Sequence, residues 1–425
     1  MPVRKKKKSQ ANQQKIEKAR HLKEFVSQVK DIIEKAAGPD IVRFIPQFEI
    51  EHLYTVRFHP VRVKAASGQA IPSHILQFSN YMATRFFKNA HIPIGVGSLA
   101  QLSLYDFFST AYTLMTYSQR LNDEDYTHAA EVKKALAPFA AVLDSPVHEA
   151  AWSKYNQFMV TISLFCCDIN EYLYAFKFNP DIFGRGLSKA GLCSDIYRSR
   201  LPRVKVLIDE HHRPVWRLGW YLPEPELHLK FVSVKSEDIY QPPGNMLDVY
   251  IQSHALNRLS ERLDGIDGGI LHYNIFDSFS HLKVFKNKYG ILLFEYAIFG
   301  DKAGYFLGEV VDEKIILKTF LFLTNNGTPE AEKLQTATGL MKEDITYLAI
   351  DKLSTFLLSD IAGNERVKQV FIDAGCESLF KIDKEFIPSE NTQATSKAEL
   401  IAKYLHLNIT PLNQHGKVDL LHNIR

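Results

Sequence analysis

The sequence predicts an α+β protein: an N-terminal mostly helical domain followed by an antiparallel-sheet domain with helices packed on one face. Three observations carry this. Apolar residues recur at helical spacing from about residue 72 to 177, and at a spacing of two beyond about residue 202. The strand-like runs after residue 283 are joined by very short polar stretches, which antiparallel neighbours allow and parallel ones do not. At 425 residues the chain exceeds a single hydrophobic core, so two or three domains are expected.

Residues 1 to 14 are polar and basic, with nothing apolar to anchor them, and are expected to be unstructured. Leu22, Val26, Val29 and Ile33 then mark an amphipathic helix that the Gly38–Pro39 pair stops. From about 40 to 70 the chain is β-branched, aromatic and broken by prolines, which suggests short strands. Four helices follow: "PSHILQFSNYMATRFFKNA", a second with Ser98 as N-cap, a third interrupted at Pro138, and a long fourth from Ser145 to about 176. The Gly- and Pro-rich stretch 179–202 is the expected domain boundary.

Beyond it, "RVKVLID" and "VWRLGWYL" form a hairpin around "EHHRP", and "LHLKFVSVK" is a third strand. "MLDVYIQ" leads into the helix "SHALNRLSERL", and a second helix covers "ILHYNIFDSFSHL". "KVFK", "GILLFEYAIF", "GYFLGEVV" and "KIILKTFLFLT" make a meander. Thr328 and Pro329 open the next helix as N-cap and first turn. The helices "KEDITYLAIDKLSTFLLSD" and "ERVKQVFIDAG" follow, then a short one with a Ser396–Glu399 capping box. The expected domains are thus 1–36, a basic arm and amphipathic helix; 37–195, mainly helical; 196–385, α+β; and 386–425, a linker, short helix and flexible tail.

Composition excludes several classes. Four cysteines without C-x-x-C spacing argue against a zinc site and a secreted disulfide scaffold, so no metal or cofactor is expected. The basic start has no apolar segment behind it and the longest apolar run is about half a bilayer span, so a cytoplasmic protein without a membrane helix is expected. The net charge of +3 is uneven: residues 1–36 carry +7 and the remainder −4. Lys5, Lys6, Lys7 and Lys8 suit the phosphates of RNA or other nucleic acid, and equally a solubilising tail.

With Ser253 as N-cap, Leu256, Leu259 and Leu263 share one side of the "SHALNRLSERL" helix, while His254, Arg258, Glu261 and Arg262 share the other. Arg258 and Arg262 are like charges at i, i+4, an unfavourable spacing that Glu261 or a bound polyanion would relieve. His254 adds a group that titrates near neutral pH. "YIQSHALNRLSERL" followed by a meander resembles the RelE/BrnT-like bacterial ribonuclease toxins, over about residues 247–325. The resemblance implies a cytoplasmic bacterial RNA-binding protein of toxin type, a metal-independent endoribonuclease with a neutralising protein partner. His254 would be its acid or base, Arg258 and Arg262 its phosphate clamps, Glu261 their orienter, and Lys318 a further cation if it faces the same cleft. The toxins are much shorter and have no N-terminal helical domain.

The same polar face also suits the solvated side of a packed helix, the commoner use of such a pattern. The alternative is therefore a non-catalytic nucleic-acid-binding protein or protein-interaction scaffold with a degenerate nuclease-like domain. The position of Lys318 separates the two: one cleft with His254, Arg258 and Arg262 favours chemistry, the opposite face of the sheet favours binding alone. "EHHRP" and "GVGS" are weaker candidates for a metal and an anion, and Cys166 and Cys167 suit the core.

Overall fold

A computed structural model describes residues 3–57, 59–179, 191–222, 227–239, 246–386 and 396–405. Within these, the side chains of 3–12, 14, 59–61, 178–179, 191–193 and 386 lie outside the description. So do the expected linker at 387–395 and tail at 406–425. The architecture is α+β in the expected order. The described residues fall into two compact units, one made of those within 1–166, 172–199 and 221–229, the other of those within 167–171, 200–220 and 230–405. No helix among the described residues is long and apolar enough to cross a membrane.

In the first unit, α1 (Val3–Ala37) is unbroken, so the stretch expected to lack structure is helical from Val3 onward. Its 35 residues span about 50 Å at 1.5 Å per residue. Among its described side chains, Phe25, Val29, Ile32, Ile33 and Ala36 are buried and pack it against the rest of the unit. The proline-rich stretch after it holds α2 (Pro39–Val42) and α3 (Gln47–Val56) before the strand β1 (His59–Ala65). Pro39 and Pro46 sit at helix N-termini, where a missing N–H is no loss, so they start helices rather than break strands.

After α4 (Ser73–Asn89) comes a hairpin, β2 (His91–Val96) and β3 (Leu99–Ser103), in place of a helix from Ser98. The backbone N–H and Oγ of Ser98 both donate to the Lys35 carbonyl, at 2.7 and 3.1 Å, so Ser98 closes the end of α1 instead. Gly97 permits this approach: its φ is 57°, and a Cβ there would lie 2.4 Å from the Lys35 oxygen. That accounts for "GVGS" without an anion. Helix resumes at α5 (Leu104–Asp106), capped by Ser103, and runs through a π-helical turn at Phe107–Ala111 into α6 (Tyr112–Arg120). α7 (Ala129–Ala140) keeps Pro138 in its last turn. α8 (Pro146–Cys166) ends earlier than expected, because β4 (Leu173–Asn179) takes the chain beyond it into a sheet of order β1-β5-β4 with β5 (Gly191–Ser199).

The strands that follow are β6 (Arg203–Ile208), β7 (His211–Arg217), β8 (Gly219–Leu222), β9 (His228–Phe231), β10 (Ser233–Lys235) and β11 (Met246–Gln252). Two helices, α9 (Ser253–Arg262) and α10 (Gly268–Ser280), lead to β12 (Val284–Lys286), β13 (Leu292–Ile298), β14 (Asp301–Val311) and β15 (Lys314–Phe322). The second unit is built on the sheet β12-β13-β14-β15-β11-β7-β6, antiparallel throughout except between β11 and β15. Phe279 of α10 packs on Phe294 and Phe306, and Tyr296, Phe306 and Phe320 meet edge to face, so the helices cover an aromatic face.

The opposite face is strongly curled. Val206, Ile208, Val215, Tyr250 and Ile316 form one buried cluster, joined by Val204 and Val311, from five strands of the sheet. Asp209, in the turn between β6 and β7, reaches Lys318 on β15 at 3.0 Å. Three strand spacings in a flat sheet would separate those strands by about 14 Å. The β6–β7 hairpin therefore folds over this face.

The remaining helices are α11 (Pro329–Thr338), α12 (Lys342–Tyr347), α13 (Leu353–Leu358), α14 (Glu365–Asp373) and α15 (Ala398–Tyr404). Thr328 caps α11 as expected. The single helix expected after Lys342 is broken in two around Ala349, whose φ is +53°. Ser396 does not form a capping box. Its hydroxyl donates to Asp360, which also accepts the N–H groups of Lys397 and Ala398 at 2.7 Å each and so caps α15 from another segment. Burial alone would raise the pKa of Asp360, but these donors outweigh it and hold the carboxyl below its ordinary value.

Candidate functional site

The helix α9 forms where the extended chain of β11 ends at Gln252, the N-cap residue; Ser253 is the first helical residue rather than the cap. Its hydroxyl instead donates to Asn170 Oδ1 at 2.8 Å. Ala255, Leu256, Leu259 and Leu263 are buried and seat α9 on the sheet beside β15. The division of the helix into an apolar and a polar side is as its spacing predicts.

What the polar side does differs from the catalytic expectation. Arg258 donates to Glu261 at 2.5 Å. Arg262 pairs with Asp351, whose side chain is 2% exposed, at the start of α13. Beside it, Asp264 accepts from the backbone N–H and hydroxyl of Ser354 at 3.0 and 2.8 Å. The like-charge pair that pointed to a polyanion is thus relieved within the chain, each arginine by its own carboxylate. His254 is exposed and has no hydrogen-bond partner among the described residues.

Lys318 lies on the other side of the sheet. On β14, Phe306 and Gly308 alternate onto the aromatic face, where a Cβ on Gly308 would meet Phe294 at 2.4 Å; Leu307 and Glu309 therefore point away from the helices. A bulge in β15 leaves Lys318 unpaired in register, between Leu317 opposite Gly308 and Thr319 opposite Leu307. Its ammonium is held by Glu309 and Asp209 at 3.0 Å each. Burial disfavours that charge, but hydrogen bonds and Coulomb attraction from the two carboxylates outweigh it and raise the pKa above the ordinary lysine value. With two acidic neighbours it is no anion site.

A cleft of about 380 Å³ is lined by Lys318 together with Lys286, Leu292, Leu307, Glu309 and Val310. The expected set is therefore not one site: His254, Arg258, Glu261 and Arg262 share a helix face, and Lys318 is behind the sheet. The partners Asp351, Asp209 and Glu309 were missed because they lie 89, 109 and 9 residues from the groups they hold, and no local pattern marks them.

His211 and His212 of "EHHRP" belong to β7 and are exposed; among the described residues no group of three or more His, Cys, Asp or Glu is placed to hold a metal ion. Cys166 and Cys167 are buried, and burial pushes the Cys166 thiol up to about 11. The side chains of Lys5, Lys6, Lys7 and Lys8 lie outside the described residues, but their backbone belongs to α1. Every described side chain from 13 to 21 is exposed. No family model, curated protein or solved structure matches this chain.

Proposed function

We propose that the protein binds nucleic acid, with RNA the foremost class, through the basic first half of α1, and that α9 is a structural helix rather than a nuclease site. The observation that carries this is the helix itself. Residues 3–21 contain eight Lys and Arg against the single acid Glu17, and the described side chains among them find no apolar partner. Arg4 and Lys8, Lys5 and Lys8, and Lys15 and Lys18 are like charges three or four residues apart, each pair destabilising a helix by about 0.2–0.5 kcal/mol. A polyanion removes that repulsion and releases its own counterions. The scarcity of apolar residues before Leu22 argues against a membrane-surface helix, which needs an apolar side. RNA is the class to which the toxin resemblance over 247–325 also points.

The absence of chemistry is tested by incubating the full chain and its His254→Ala variant with a labelled RNA of about 12 nucleotides, a length within the usual footprint of single-strand binders. Both are expected to bind equally and leave the RNA intact on a denaturing gel. Fragments made by the parent protein and not by His254→Ala would restore the endoribonuclease reading.

A further inference from the structure

The outer side of α4 carries a row of aromatic and basic residues. His74, Phe78, Tyr81, Arg85 and Lys88 follow one another at intervals of four, three, four and three residues, which places them on one face of the helix. The inner face is filled by Ser79, Ala83 and Phe87, so this row points outward. Phe78 is 41% exposed and Tyr81 61%, large apolar groups that a merely solvated face would not carry side by side. The 17 residues of α4 include no Asp or Glu, and among the described residues neither Arg85 nor Lys88 has a carboxylate partner.

Cations continue from the end of the row. Lys88 lies 5.6 Å from the ring centre of Tyr105, and Arg57 stacks on Tyr54 at 3.4 Å and reaches Phe25 of α1 at 5.7 Å. The nearby carboxylate of Asp106 is occupied by Gln28 and Ser103.

We infer that this face of α4 is a stacking surface for single-stranded nucleic acid. Bases rest on Phe78 and Tyr81, about 4.5 Å apart along the helix axis, and Arg85 and Lys88, one to two turns further on, take the phosphates. A duplex keeps its bases stacked on one another and offers such aromatics nothing, whereas a single strand exposes its base faces. Two adjacent aromatics followed by two cations, with no acid, match base faces and phosphates together, which neither an acidic nor an apolar surface would. This inference rests on the nucleic-acid reading above and names its class.

The test uses the full chain, a fluorescein-labelled oligouridine of about 12 nucleotides, and an RNA duplex of the same length, with binding followed by anisotropy. Phe78→Ala with Tyr81→Ala is expected to weaken single-strand binding by at least about tenfold and leave duplex binding unchanged. Tyr81→Phe keeps the ring and retains parental affinity. Replacing Lys5, Lys6, Lys7 and Lys8 by Gln weakens both ligands, because phosphates are common to both. Parental binding that the aromatic variants do not change, or lose equally for strand and duplex, overturns the inference while leaving the role of α1 intact. Failure of the parent to bind either ligand overturns both.

Discussion

Arg262→Ala is expected to lower the unfolding free energy by about 3–5 kcal/mol, the usual consequence of leaving a buried carboxylate without its partner. Asp351 is 2% exposed on its side chain and Arg262 18%, so water replaces the guanidinium poorly. The loss falls where α9 meets α13, next to the contact of Asp264 with Ser354, and so loosens the helices from one another. Arg258→Ala is the control: its pair with Glu261 is 39% and 45% exposed and contributes about 0–1 kcal/mol. Urea denaturation of the two variants separates the readings. If Arg262→Ala keeps parental stability but loses RNA affinity, that arginine is a phosphate clamp after all.

Lys302→Ala is expected to destabilise the second unit by about 3–5 kcal/mol for the same physical reason. Glu330 is 5% exposed; its Oε1 accepts from Lys302 at 2.5 Å and Tyr305 at 3.0 Å, while Oε2 is buried with no hydrogen-bond partner among the described residues. Burial, and then the charge of Glu330, raise the pKa of the Tyr305 hydroxyl and keep its proton in place as a donor. Glu330 also pushes the buried Cys376 thiol up to about 12, after burial itself. Removing Lys302 leaves one hydrogen bond for a carboxylate that already lacks a full set. Tyr305→Phe removes only the hydroxyl donor and is expected to lose about 1.5–3 kcal/mol. A change below about 1 kcal/mol in Lys302→Ala would mean that water or a rearranged side chain supports Glu330 instead.

Elements with a strong local signal were legible. The leucines of α9 at i, i+3 and i+7, the cap of α11 by Thr328 and Pro329, and the two-residue turn at Asp312–Glu313 all form as their spacing and turn chemistry require. Elements decided by distant contacts were not. Ser98 has the sequence of a helix cap, but a hairpin delivers it to the last turn of α1. Ser396 sits three residues before Glu399, yet Asp360 supplies the cap. "INEYLYAF" reads as helix until a strand partner is present, since β-propensity depends on pairing.

The same limit applies to the site. The sequence places His254, Arg258, Glu261 and Arg262 on one face, and the structure does too. Whether that face is free depends on Asp351, and the side taken by Lys318 depends on a bulge set by the pairing of β14 with β15. Neither has a signature within a few residues. The row on α4 was legible in principle, because its spacing, its aromatics and its lack of acids are sequence facts, but only the buried inner face shows which side is outward.

The central claim is that nucleic acid is held by the cations of α1, and salt dependence of binding tests it most directly. Oligouridine affinity of the full chain, measured between about 50 and 200 mM salt, is expected to fall linearly on a log–log plot, and replacing Lys5, Lys6, Lys7 and Lys8 by Gln is expected to flatten that slope by up to about 3. A slope that the four substitutions leave unchanged, or binding that salt does not weaken, would contradict the account.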